Sequence, residues 1–439
     1  MCAQFAGLNS ADTGAILSYT INVMRADWFS LFWERAEKPL GKLSADDFLA
    51  LLRPKCKQIV TREDLERHVR SGKKLRVKLG VDATGAEIHL GHAVPLMLLR
   101  LFQRRGDDAH FVIGDFTGKI GDPSGQTGKR REISNKEIAA NIKSYTKQIA
   151  PILDLKKAHV HKNSKWLSKM PLAHFFEMIG AISFGEVAQR EDFRERLKAG
   201  SPVSLREVNY ASLMGIDSVE LKSDIEVGAV DQLLNFMQAR SVMEARGMHP
   251  EAVLVTPLIE GTAGDGRKMS KSFGNYIALS DTSENQFGLI MSIPDGLIKS
   301  YFVSYGDIYE KETTELEEFI QLQPLEAKKQ LGMLVVALLH GETAAHRTRE
   351  DFERKFSKKE YSAKDAIEIK INLPAPLFDA LVRAMGDGES RSQIRRLIAE
   401  RAVRRLGHGE EILEDATAIV RDGDIVKVGK LQLFRFLQK

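Results

Sequence analysis

Two cysteines in 439 residues, Cys2 and Cys56, are too few for a disulfide framework, and no metal-ligand spacing surrounds either. A reducing compartment is the expectation. No apolar run is long enough to cross a bilayer. The mildly apolar stretch at residues 16–23 has no basic residue before it and no small-residue cleavage site after it, so a signal peptide is rejected. The chain is therefore expected in the cytoplasm, without membrane contact. Internal repeats and low-complexity tracts are also missing, which excludes a repeat architecture.

What is present is globular. A hydrophobic share of 43% and a charged share of 28% suit a chain that buries a sizeable core, and its length calls for two to four domains. The net charge of +4 suits contact with a polyanion without requiring one. Residues 1–70 read as an N-terminal helical extension, with capped starts at Ser44 and Thr61. The first two dozen residues carry no clear pattern, and Met24 is an alternative start.

From Leu75 the texture changes. Leu75-Arg76-Val77-Lys78-Leu79-Gly80-Val81 alternates like a strand and runs into a loop with Asp82, Thr84 and Gly85; a helix then opens near His89. A second strand at 109–114 leads into a Gly-rich loop, and 253–257 reads as a later strand. This is the grammar of an α/β fold with a doubly wound, Rossmann-like parallel sheet. Residues 132–245 read as mostly helical, an insertion. Residues 283–362 lean helical, clearest at 325–339. A charged connection near 356–364 precedes a separate small α+β module at 366–439.

Two short motifs carry the chemistry. His89-Leu-Gly-His92 follows a strand and opens a helix, where unpaired N–H groups and a partial positive charge favour phosphate. Two imidazoles three residues apart share one face of the first turn, and Gly91 clears room for an adenine ring or a close backbone. Far downstream, Lys268-Met-Ser-Lys-Ser272 follows a Gly-rich loop, and its two lysines can close over pyrophosphate. Each motif alone is weak. The pair, in this order and context, points to nucleotidyl transfer.

At these residues the chain resembles the class I aminoacyl-tRNA synthetases. Its sequences at 77–92, 113–125, 228–232 and 268–277 are similar to bacterial tyrosyl-tRNA synthetases, and the match runs from about Leu75 to the C-terminus. The resemblance implies a catalytic domain at 71–282, an anticodon-side helical domain at 283–362 and an S4-like RNA-binding domain at 366–439. It implies tyrosine, ATP with Mg²⁺ on its phosphates, and tRNA(Tyr) as substrates, and a homodimer joined through the insertion. Asp217 would accept a bond from the substrate phenol, and Lys78, Asp122, Tyr210, Met214 and Gln232 would complete the amino-acid pocket. Gly80, Asp82, Thr84, His89, Gly91, His92, Asp231 and Lys271 would face ATP. His89, His92, Lys268, Lys271 and a mobile Arg130 would neutralise the charge that develops on the phosphates.

Three departures from the family pattern stand out: Ala83 for a proline, Met214 for a glutamine, and Ala229 for a second glycine. They leave two rivals to tyrosine–tRNA ligation: an enzyme for a tyrosine analogue, and a non-catalytic RNA-binding relative. At the C-terminal end, a helix starting at Ser390 or Ser392 would carry Arg395, Arg396 and Arg401, with Arg404 and Arg405 just after. Ile394, Leu397 and Ile398 would face its core. With Gly423-Asp-Ile-Val-Lys-Val-Gly-Lys430 it resembles the S4 module, which implies RNA contact through Arg391, Arg395, Arg396 and Arg401. His110, His174, His249 and His340 have no partners at useful spacing.

Overall fold

The computed structural model describes residues 26–124, 133–180, 182–357, 365–386, 389–406, 410–429 and 432–439. The chain divides into two compact units, residues 1–349 and 350–439.

The first unit is organised by a six-stranded sheet. Its strands are β1 (Gln58–Val60), β2 (Arg76–Asp82), β3 (Asp108–Gly114), β4 (His159–Lys162), β5 (Ile225–Ala229) and β6 (Ala252–Thr256), in the order β1-β6-β5-β2-β3-β4. Only β1 runs antiparallel, against β6. The chain lays β3 and β4 on one side of β2, then returns to lay β5 and β6 on the other. The order in which strands are added thus reverses between the parallel neighbours β2 and β5, and ligands bind at such a point beyond the carboxyl ends of the strands.

Burial follows from this plan. Val77, Leu79, Phe111, Val112, Val253 and Val255 are all at most 2% exposed, because helices cover both faces of a parallel sheet. Helix α1 (Leu90–Arg105) follows β2, while α2 (Tyr210–Leu221) and α3 (Leu233–Ala245) pair around β5. An added Cβ at Gly215 would fall 2.8 Å from Val242 and 2.9 Å from Ala239, so glycine is what lets α2 and α3 approach. Further on, α4 (Pro324–His340) is buried from Gln330 to Leu339, and the helix Trp28–Ala36 docks on it, Trp28 N donating to Gln330 Oε1 at 2.8 Å.

Several expectations need correction here. Residues 132–245 are not simply helical, since β4 and β5 lie within them; strands of four and five residues are too short to show a period. The N-terminal stretch also contributes β1 to the main sheet. Ser44 caps its helix by accepting from Asp47 N at 3.1 Å, but Thr61 sits at φ 58° and makes no such cap.

In the second unit, Glu410–Ile412, Val403–Leu406, Ile425–Val428, Gln432–Gln438 and Ile367–Ile371 form a five-stranded sheet in that order, only the last pair parallel. Helix α5 (Arg391–Ala399) is capped at Ser390, which accepts from Gln393 N at 3.2 Å. Ile394 and Ile398 from α5 join Leu377, Val426, Phe434 and Phe436 in the core, with Leu397 packed against it.

Phe102 on α1 is fully buried, its ring 5.3 Å from Phe48 in an edge-on pair that ties the N-terminal helices to the sheet. Phe102→Ala should lower unfolding free energy by about 3–5 kcal/mol in denaturant titration. A loss below about 1 kcal/mol would mean that this contact does not tie the two together.

Candidate active site

A cleft of about 370 Å³ opens at the carboxyl ends of β2, β3 and β5, where the strand order reverses. Gly80, Asp82, Thr84, His89, Gly91 and His92 line it from β2 and the first turn of α1. Asp122, Tyr210, Met214, Asp217, Asp231, Gln232 and Lys268 line it from the other segments.

The backbone of the His turn is paired with the segment that follows the lysine loop. His89 bridges Ala278 in antiparallel fashion, Leu90 N donates to Ile277 O at 2.9 Å, and Leu279 N donates to Ile88 O at 2.9 Å. His89 caps α1 with extended backbone, its N–H reaching His92 Nδ1 at 3.3 Å and its ring centroid 3.9 Å from that of His92. An added Cβ at Gly91 would meet the His89 ring at 3.0 Å, so the room that Gly91 clears is taken by that imidazole. Burial, with each ring's charged neighbours, pushes His89 down to about 2 and His92 down to about 4. Both rings are neutral at pH 7 and act as hydrogen-bonding groups, so the positive charge at the mouth comes from lysine.

Lys268 Nζ lies 3.0 Å from Asp231 Oδ2. Lys271 is outside the set of lining residues: its ammonium donates to the Glu87 carbonyl beside the His turn, and burial lowers its pKa. The Arg130 loop lies outside the described residues.

Several carboxylates also line the cleft. Asp217 is 5% exposed and accepts from Trp166 Nε1 at 2.7 Å and from Asn163 Nδ2 at 3.1 Å. Burial pushes its carboxyl up to about 6, against the pull of Lys78 and these two donors. Asp82 accepts from Thr117 Oγ1 at 2.7 Å and from Tyr210 OH at 3.1 Å. Asp122 accepts from Gln232 Nε2 at 2.7 Å, and from Asn235 Nδ2 and the Ser124 N–H and hydroxyl. Met214 packs against Phe236 in an apolar cluster.

Lys78 is placed differently from the expectation. It is 2% exposed and does not line the cleft; its ammonium lies 2.9 Å from Glu226 Oε1, 2.5 Å from Ser218 Oγ and 3.2 Å from Met214 O. Sequence reading missed Asn163, Trp166 and Glu226 altogether. The first two come from a segment remote from every motif, and no spacing signal points to them.

Elsewhere, Arg391 and Arg395 stand over the Phe378 ring, with guanidinium carbons 5.9 and 4.9 Å from its centroid. Arg396 lies 3.7 Å from Glu400. Arg401 is not on α5; it follows the helix at φ 61° and pairs with Glu414 at 2.5 Å. His110 has partners after all: it lies 3.0 Å from His161 and stacks on His159, both on the neighbouring strand. His249 pairs with Asp64 at 3.1 Å, and His340 lies 3.0 Å from Gln286.

Fold and cleft together define an α/β protein of the Rossmann-like class. The family model for tRNA synthetases class I (W and Y) matches residues 70–357. The tyrosine–tRNA ligase of Desulfotalea psychrophila is 34% identical over 405 residues, covering 90% of this chain and 98% of that protein. That of Thermotoga maritima is 35% identical over 398 residues, with the same coverage. Among solved structures, a C-terminally truncated Coccidioides posadasii mitochondrial tyrosyl-tRNA synthetase shares the fold at TM-score 0.59 and 21% identity, covering 77% of this chain and 99% of that one. The Archaeoglobus fulgidus tyrosyl-tRNA synthetase complexed with L-tyrosine does so at 0.55 and 22%, covering 70% and 100%. The chain belongs to the class I tRNA synthetases, among the tyrosine–tRNA ligases.

Trp166→Phe removes a donor that favours the charged form of Asp217, so the Asp217 pKa should climb further above its value of about 6. Carboxyl carbon NMR titration reads this directly. A fall would show that the indole does not hold the charge.

Proposed function

We propose that the protein activates tyrosine with ATP and passes the tyrosyl group to tRNA(Tyr). The carrying observation is one cleft lined by the His turn, Lys268 and the buried Asp217 together. The amino-acid carboxylate is already a nucleophile: it attacks the α-phosphorus in line, and the bond to pyrophosphate breaks. A ribose hydroxyl of the tRNA then attacks the acyl carbon, and AMP leaves. Neither step needs an acid–base residue of unusual strength.

The roles divide by charge. His89 and His92 would hydrogen-bond phosphate oxygens as neutral imidazoles, while Lys268 and Lys271 would leave Asp231 and the Glu87 carbonyl to meet the charge that grows on pyrophosphate. Arg130 would add a further cation. Mg²⁺ enters with ATP as part of the substrate; among the described residues no group of three His, Cys, Asp or Glu side chains is arranged to hold a metal. Asp217 would accept the phenol, and phenylalanine would leave that carboxylate unpaired.

The second unit would hold tRNA, with Arg391 and Arg395 over Phe378 as its foremost contacts, since Arg401 and Arg404 are engaged by Glu414 and Glu410. A homodimer fits the insertion, where Leu172, Phe184 and Leu205 are 69%, 65% and 74% exposed and a second copy would cover them. A cytoplasmic setting is consistent with the described residues, in which no helix is long and apolar enough to cross a membrane.

Tyrosine-dependent ATP–pyrophosphate exchange tests the reading. Lys271→Ala and His92→Ala should each reduce its rate about 10²–10³-fold with melting temperature unchanged. Wild-type silence with tyrosine would sink the proposal. Arg395→Ala should weaken tRNA binding and flatten its dependence on salt, with tyrosine exchange unaffected; an unchanged salt slope in filter binding would remove Arg395 from the interface.

A further inference from the structure

Arg190 joins two short helices, Phe184–Gln189 and Glu191–Lys198, and is buried. Its guanidinium carbon lies 4.9 Å from the Phe193 ring centroid, and Asp192 accepts from Nε at 3.2 Å and from Nη2 at 2.8 Å. The rest of the fork reaches α3: Asn235 Oδ1 accepts from Nη2 at 2.8 Å, and Gln238 Oε1 from Nη1 at 3.2 Å. A guanidinium only donates, so both amides must turn their oxygens towards it and their nitrogens away. Asn235 Nδ2 then donates to Asp122 Oδ1 at 3.1 Å and to Gln232 Oε1 at 2.9 Å. The second amide is fixed in turn, Gln232 Nε2 donating to Asp122 Oδ2 at 2.7 Å and to Ser124 Oγ at 2.9 Å. On the other branch, Gln238 Nε2 donates to Ser212 Oγ of α2 at 2.8 Å.

Asp122 and Gln232 line the cleft, whereas Arg190 and Asn235 stand behind it. We propose that Arg190 is a positioning residue for amino-acid binding: it sets the polarity of the Asn235 and Gln232 amides and, through them, holds the Asp122 carboxylate for the ammonium group of the substrate. The inference rests on the tyrosine-activation reading and adds to it a residue outside the cleft. An Asn235 amide turned end for end would set its oxygen against Asp122 Oδ1 and Gln232 Oε1. Gln232 could answer only by turning too, which withdraws both amide donors from the carboxylate. Asn235 is 0% exposed, so a mismatched amide there has no water to turn to. The cleft offers little to take over from Asp122. Met214 lines it without a strong acceptor, and the Tyr210 hydroxyl is donated to Asp82.

The experiment is tyrosine-dependent ATP–pyrophosphate exchange by the full chain, with KM for tyrosine, KM for ATP and kcat measured separately. Arg190→Gln, which can present an oxygen to Asn235, should raise KM for tyrosine about tenfold while KM for ATP and kcat stay within about twofold. Arg190→Lys only donates and should keep KM for tyrosine within about threefold of wild type. Asn235→Leu should raise KM for tyrosine by about tenfold or more, and adding Arg190→Gln to it should raise it no further. An effect routed through the Asp192 pair would persist in that background. Should Asn235→Leu fail to fold, the comparison of Arg190→Lys with Arg190→Gln decides alone. Equal KM for tyrosine in those two variants overturns the inference, as does a lower melting temperature with all three constants unchanged; either leaves Arg190 a structural tie. Effects that multiply in the double variant overturn it too. Wild-type silence with tyrosine strikes at the activation reading and takes the inference with it.

Discussion

The backbone pairing of Ile88, His89 and Leu90 with Ile277, Ala278 and Leu279 holds the rest in place. Each of these hydrogen bonds contributes only about 0.5–1.5 kcal/mol net. Their importance is positional, because they stitch the capped end of α1 to the chain that leaves the lysine loop. The sheet supplies the other half of the constraint: by reversing its order of strand addition between β2 and β5 it leaves a crevice into which the N-terminus of α1 points. Two neutral imidazoles and two ammonium groups are thereby gathered at one edge. No single segment could assemble them.

Lys268 and several carboxylates border the cleft, Lys268 beside Asp231, and burial moves the imidazole and carboxyl pKa values in opposite directions. It drives the imidazoles neutral, so they add no repulsion to Lys268 and Lys271. It lifts Asp217 to about 6 yet leaves it ionised at neutral pH, where it is a strong acceptor. The sign for stability follows: a carboxyl raised in the fold is stabilising in its protonated form, so Asp217 favours the folded state less as pH rises from about 4 to about 6. The Trp166 and Asn163 donors oppose that loss while orienting the carboxylate.

The sequence was legible where a local rule carried the meaning. The strand read at 75–81, the helix start near His89 and the Ser390 cap each follow from spacing within a few residues, and the structure has a strand at Arg76–Asp82, a helix from Leu90 and a cap at Ser390. What failed were features set by long-range packing. Lys78 read as a pocket residue because it lies on the right strand; strand alternation sends its side chain instead to Glu226 and Ser218, behind the cleft. Asn163 and Trp166 carry no motif, and their role exists only because β4 lies against β3. His110 found its partners across that same strand pair. Arg401 was extrapolated along a helix that stops at Ala399, and nothing in the local sequence announces its positive φ.

Stability is a poor reason for burying the Lys78–Glu226 pair. Taking both charges out of water costs several kcal/mol per ion, and packed apolar side chains of equal volume commonly do as well or better. The pair sits, moreover, one layer behind the substrate cavity, touching it only through Glu226, whereas a purely structural bridge has no need to border a cleft. Its geometry is that of a support: Lys78 is saturated by Glu226, Ser218 and the Met214 carbonyl, so the ammonium is immobile and the carboxylate it holds cannot turn away. Met214, on the same helix as Asp217, lines the cavity and accepts from Lys78 at its carbonyl.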